Sequence, residues 1–224
     1  MKYLLTSSGI SNASIENALV ELLGKPINEA TGVVIGTGMH PFPGGGEHLL
    51  RFLTGNSPAP MLGLGWKSLN LLELTALPSI KRDYWVEAVE ATDTLIVWGG
   101  HAPYLCHWMR ESGLADLLPS LQCVYVGTSA GSMICGPHFG ELDYELGPPV
   151  YSLEPLGLVD FAFAPHLDHP MFPGNTLAEL EKWAAPIPAP AYALDDESAI
   201  TVVNGEINVI SEGHWHLFEP KLAN

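Results

Sequence analysis

Short apolar runs alternate with amphipathic stretches along most of this chain. Lys2–Thr6, Gly32–Thr37, Ser68–Leu74, Thr94–Trp98 and Cys123–Val126 have the length and the β-branched or aromatic content of buried strands. Ser14–Leu23 gathers Ile15, Ala18, Leu19, Leu22 and Leu23 on one side of a helix, with Ser11 or Asn12 as its cap. Ile80–Ala91 and Pro103–Leu118 repeat the helical spacing, the second with a break at Gly113. Residues 38–66 hold glycines and prolines without periodicity and read as a mobile surface loop. Residues 137–157, rich in Gly, Pro and acids, read as an excursion across the sheet edge. Beyond them the pattern predicts a strand over Phe161–Ala164, a helix over Leu177–Trp183 and a strand over Ala191–Leu194. A hairpin of Ala199–Val203 with Glu206–Ile210 turns at Asn204-Gly205, and Trp215–Phe218 adds a last strand.

Strands alternating with helices predict an α/β fold whose largely parallel sheet is covered on both faces, followed by a late β-hairpin, in one domain spanning 1–224. Reactive groups in such folds gather at the carboxyl ends of the strands. At 47% apolar and 15% charged residues the chain is globular. No apolar run reaches the length of a membrane span, and the first residues, MKYLLTSSGI, read as a strand entering a loop, not a signal peptide. A formal charge of −16 argues against nucleic acid as a partner. Cys106, Cys123 and Cys135 lack metal-type spacing and read as free thiols of a reducing, cytoplasmic compartment.

Two glycine clusters, Gly36-Thr37-Gly38 and Gly44-Gly45-Gly46, fit no nucleotide-binding fingerprint. Gly127-Thr128-Ser129-Ala130-Gly131 is different. It is a G-x-S-x-G turn between a strand and a helix beginning at Ser132, the arrangement that projects a serine hydroxyl above a sheet. A serine nucleophile needs a base, and the base an orienting carboxylate. Of nine histidines, His166 is best placed, directly after the FAFA strand. Asp195, Asp196 and Glu197 follow another strand and offer the carboxylate. His166, Asp168 and His169 together lack a zinc-type pattern, so neither a metal nor another cofactor is expected.

The chain resembles the peptidase E family of serine peptidases, the aspartyl dipeptidases and related aminopeptidases. The resemblance runs from LLTSSGISN through the strand ending in Gly-Gly, YLCHWMRESGLADLLP, GTSAGSM and LGLVDFAFAPHLDHP to ALDDESAI. It implies a three-layer sandwich like that of class I glutamine amidotransferases, with Ser129 as nucleophile and His166 as base. The third member falls at Asp196, with Glu197 as the close alternative, and the oxyanion donors at the N–H of Ala130 and of Gly100 or Gly99. The implied activity is removal of an N-terminal residue from dipeptides or short peptides by a monomer or homodimer. After Gly-Gly this chain carries His101 where relatives carry Asn or Asp, which makes His101 a substrate-binding candidate. The stretch HFGELDYEL (138–146) has no arginine, so strict aspartate specificity is not expected. There, Asp143 or Glu145 is a candidate for holding a substrate ammonium.

Two other readings stay open. An α/β-hydrolase esterase would use Ser129 with Asp195 or Asp196 and then His214 or His216. A non-catalytic relative would bind a peptide or amino acid.

Overall fold

The computed structural model describes residues 1–57, 61–140 and 154–220. In chain order its strands are β1 (Lys2–Thr6), β2 (Thr31–Ile35), β3 (Ser68–Leu71), β4 (Thr94–Val97) and β5 (Val124–Thr128). They continue with β6 (Ala162–Ala164), β7 (Ala191–Leu194), β8 (Ser198–Val203), β9 (Glu206–Ser211) and β10 (Trp215–Phe218). The α-helices are α1 (Ala13–Leu23), α2 (Gly45–Leu53), α3 (Arg82–Glu90), α4 (Ala102–Glu111), α5 (Ala130–Met133) and α6 (Leu177–Ala184).

Seven strands form the main sheet in the order β3-β2-β4-β5-β1-β8-β9. The first five are mutually parallel, and the β8–β9 hairpin closes one side antiparallel. Successive side chains of a strand point to opposite faces, and in the central strands β2, β4 and β5 both faces are buried. Leu5, Val33, Ile35, Leu95, Val97 and Tyr125 face a core shared with Trp85 and Val89 of α3 and Leu105, Cys106 and Met109 of α4. Their neighbours Leu4, Val34, Ile96, Val124 and Val126 face Ile15, Leu19 and Leu22 of α1 and Phe52 of α2. The result is the three-layer α/β sandwich with a late hairpin that the sequence predicts.

Asn12 caps α1, its side-chain oxygen accepting from the N–H of Ile15 at 3.0 Å. Residues 38–66 correct the sequence reading. A 3-10 turn (Thr37–Met39) and α2 lie within or beside the segment expected to be a loop. Phe52 of α2 stacks on Trp98, with centroids 4.2 Å apart and planes at 6°. The second correction is a separate three-stranded sheet, β10-β7-β6, where β6 and β7 run parallel and β10 antiparallel to β7. Leu180 and Ala184 of α6 pack against it. The core nonetheless runs from one sheet to the other, because Phe161, Phe163 and Leu194 join the cluster that holds Leu5 and Tyr125. Among the described residues, no helix is long and apolar enough to cross a membrane.

Candidate active site

The carboxyl ends of β4, β5, β6 and β7 converge on Ser129. This residue links β5 to α5 with φ 51° and ψ −117°, a conformation that side-chain-bearing residues seldom adopt. Surrounding contacts hold it there. The Ser129 N–H donates to Thr6 O at 3.1 Å, and the Ser132 hydroxyl donates to the same oxygen at 2.8 Å. The flanking glycines are there for space. A Cβ on Gly131 would lie 2.1 Å from Val97 O, and one on Gly127 would lie 2.7 Å from Gly131 O. Only glycine lets α5 start this close to the strands.

His166 follows β6 and, like Asp168, has positive φ (61° and 55°). Its Nε2 lies 3.0 Å from Ser129 Oγ and its Nδ1 lies 2.7 Å from Asp196 Oδ1. A carboxylate oxygen only accepts, so the ring hydrogen belongs on Nδ1 and Nε2 is free to accept from the serine hydroxyl. Phe172 stacks on the imidazole, with centroids 4.4 Å apart and planes at 14°.

Asp195, Asp196 and Glu197 are the three residues by which the chain leaves the small sheet at β7 and enters the main one at β8. Asp195 is 8% exposed, and its contacts lock the crossing. Its carboxylate accepts from the Ser198 hydroxyl at 2.5 Å, the Glu197 N–H at 3.1 Å and the His214 N–H at 2.7 Å. Glu197, the alternative acid, accepts from Asn12 Nδ2 at 3.1 Å. Asp196 is the one that meets His166. Burial pushes its carboxyl up, but hydrogen bonds from His166 and Ser7 and the nearness of His169 outweigh that and hold it below the usual carboxylate range.

Sequence reasoning missed Ser7, His169 and Phe172 as parts of this arrangement. The buried Ser7 hydroxyl donates to Asp196 Oδ1 at 3.0 Å and accepts from the His166 N–H at 2.8 Å. His169 Nδ1 accepts from the Met171 N–H, which leaves the hydrogen on Nε2, 3.5 Å from Asp196 Oδ2. The LLTSSGISN and LGLVDFAFAPHLDHP stretches hold Ser7 and His169, while Phe172 lies outside both and carries no signal of its own.

The remaining candidates divide. Gly99 abuts Ser129: a Cβ there would lie 3.1 Å from Ser129 Cβ. Gly100, with φ 125°, packs its backbone on Gly38. Ala130 opens α5, so its N–H has no acceptor within the helix. His101 caps α4, its Nδ1 accepting from the Tyr104 N–H at 3.1 Å, a task Asn or Asp commonly performs. Burial lowers its pKa. Asp143 and Glu145 lie outside the described residues. His214 does not join Ser129. Its Nε2 lies 3.1 Å from Asp168 Oδ2 and its Nδ1 lies 2.9 Å from Asp195 Oδ2, so the first of the two imidazoles the esterase reading offers is committed elsewhere. Among the described residues, no group of three or more His, Cys, Asp or Glu is arranged to hold a metal ion.

Comparison with known proteins places the chain in a family. An uncharacterized peptidase of Pasteurella multocida (strain Pm70) is 27% identical over 129 residues, which is 54% of this chain. The chain spans only 61% of that curated relative's length. Two solved structures share the fold at 18% identity. One, named as a candidate peptidase E of Listeria monocytogenes EGD-e, aligns with a TM-score of 0.66 over 95% of this chain and 98% of its own. The other, a peptidase from an acI-B1 actinobacterium, aligns with a TM-score of 0.67 over 99% and 91%. The model of peptidase family S51 matches residues 61–210, well over half of the 224, and includes Ser129, His166 and Asp196. By that match, the chain belongs to peptidase family S51.

Proposed function

We propose that residues 1–224 act as one unit, a serine peptidase that removes the N-terminal residue from dipeptides or short peptides. Ser129 is the nucleophile, His166 the base and Asp196 the orienting acid. The reading rests on the unbroken hydrogen-bonded row Ser129–His166–Asp196, at 3.0 and 2.7 Å, drawn from three separate strand ends.

The Ser129 proton moves to His166 Nε2 as Oγ bonds the first peptide carbonyl carbon. The N–H groups of Ala130 and of Gly100 or Gly99 receive the oxyanion. Asp196 holds the imidazole in the tautomer that accepts this proton and stabilises the cation that results. His166 then gives the proton to the departing amine nitrogen as the C–N bond breaks, leaving an acyl-serine. Water enters and its oxygen bonds the acyl carbon as His166 takes one of its protons; the C–Oγ bond then breaks and His166 returns that proton to Oγ, releasing the residue and restoring the hydroxyl.

Turnover of X-Leu dipeptides and X-p-nitroanilides tests this. Ser129→Ala is expected to lower kcat by at least about 10⁴-fold with an unchanged circular dichroism spectrum. Activity that survives the substitution refutes the assignment.

A further inference from the structure

His166 has to hand its proton to the departing nitrogen, so that nitrogen must come within about 3 Å of Nε2. The side chain attached to the departing residue is then held within a few ångströms of whatever borders the imidazole. Asp196, Ser7 and His169 border it on one side, and the face of the ring is covered by an apolar side chain. Phe172 lies parallel to the ring yet is 43% exposed, and Met171 beside it is 79% exposed.

The chain holds these two side chains outward on a tied loop. The Asp168 N–H donates to Asn175 O at 2.9 Å, and Phe172 N–H donates to His169 O at 2.9 Å. Asn175 N–H returns to Phe172 O at 2.9 Å, and its side chain donates to Pro165 O at 2.9 Å. Large apolar side chains fixed in water next to a reactive group mark a surface that something covers. The charges nearby narrow the choice. Asp168, 3.1 Å from His214 Nε2, lies on the same loop, and Asp196, 3.5 Å from His169 Nε2, lies behind the imidazole; with those histidines neutral, both carboxylates oppose an anionic side chain.

Resting on the peptidase reading, we infer that Met171 and Phe172 seat the side chain of the departing residue, and that this seat takes apolar side chains and rejects acidic ones.

Peptides with one N-terminal residue and Leu, Phe, Gly or Asp in second place test the seat in two ways. One is kcat/KM in the intact enzyme. The other, independent of turnover, is the affinity of the Ser129→Ala protein for the same peptides. Leu and Phe are expected to exceed Gly by about tenfold in both, with Asp below Gly. Phe172→Ala should bring the Leu-to-Gly ratio towards one. Met171→Ser, at a site too exposed to threaten folding, should reduce it severalfold. Equal values for Leu, Gly and Asp, or a preference for Asp, overturn the seat. An unchanged ratio in Met171→Ser and Phe172→Ala overturns it as well. A Leu preference in affinity with no hydrolysis of any peptide would uphold the seat and sink the peptidase reading alone.

Discussion

The buried Ser7 hydroxyl donates to Asp196 Oδ1 at 3.0 Å while accepting the His166 N–H at 2.8 Å, so one small side chain ties Asp196 and His166 together. Ser7→Ala leaves the His166 N–H unpaired, at a cost of about 1–3 kcal/mol in denaturant unfolding. Asp196 also loses one of the donors that hold its carboxyl low, so the loss of kcat/KM that its protonation causes begins at higher pH. We expect kcat to fall more than KM changes. A pH profile identical to wild type would make Ser7 a packing residue only.

The depressed pKa of Asp196 carries a pH dependence of stability with a definite sign. A carboxylate held low in the folded state stabilises the fold above the ordinary value of about 3.9, and this contribution disappears as pH falls through the folded value. Glu73 is also held low: burial raises it, but hydrogen bonds from His40, Thr75 and Thr37 prevail, so it adds to the same trend. Melting temperature should therefore drop on acidification below about pH 4. Asp196→Asn should flatten part of that slope while lowering kcat by orders of magnitude. Parallel melting curves for wild type and variant across pH 2–5 would contradict this.

His166 and His214 both contact carboxylates, but only His166 touches Ser129. His166→Ala is expected to lose nearly all turnover, whereas His214→Ala should keep activity within about tenfold. The reverse pattern would restore the esterase reading.

The cysteines are sealed off from chemistry. Burial pushes the Cys106 thiol up to about 12, against the opposing effect of Arg110, and the Cys123 thiol up to about 11. It raises Cys135 further still. The thiolate is the reactive form, so a thiol-specific disulfide reagent at pH 8 should label none of the three in native protein and all three after denaturation. Activity should be insensitive to the reagent. Rapid native labelling with loss of activity would refute it.

Much of this architecture is legible in the sequence because parallel strands buried on both faces leave continuous apolar runs. Thr94–Val97, buried along its whole length between β2 and β5, falls inside the predicted Thr94–Trp98 for this reason. Helix α2 is not legible. It opens on Gly45-Gly46 after Gly44 in a left-handed conformation, with no side-chain cap, and its anchor is the tertiary stacking of Phe52 on Trp98. Nor does periodicity distinguish a strand of the main sheet from β6 or β7, since pairing partners leave no local mark. At the site, Ser129 is legible because the turn itself demands glycines at fixed spacing. Ser7 looks like any loop serine, and its role exists only once β1 and the crossing at 195–197 are brought together.

That crossing has a consequence for how the proposed activity would fail. Ser129 and His166 belong to different sheets, and Asp196 sits on the link between them. A modest loosening of the minor sheet would pull the imidazole from the hydroxyl and leave most of the molecule intact. Warming should therefore silence turnover several degrees before bulk tryptophan fluorescence changes, and brief cooling should bring it back.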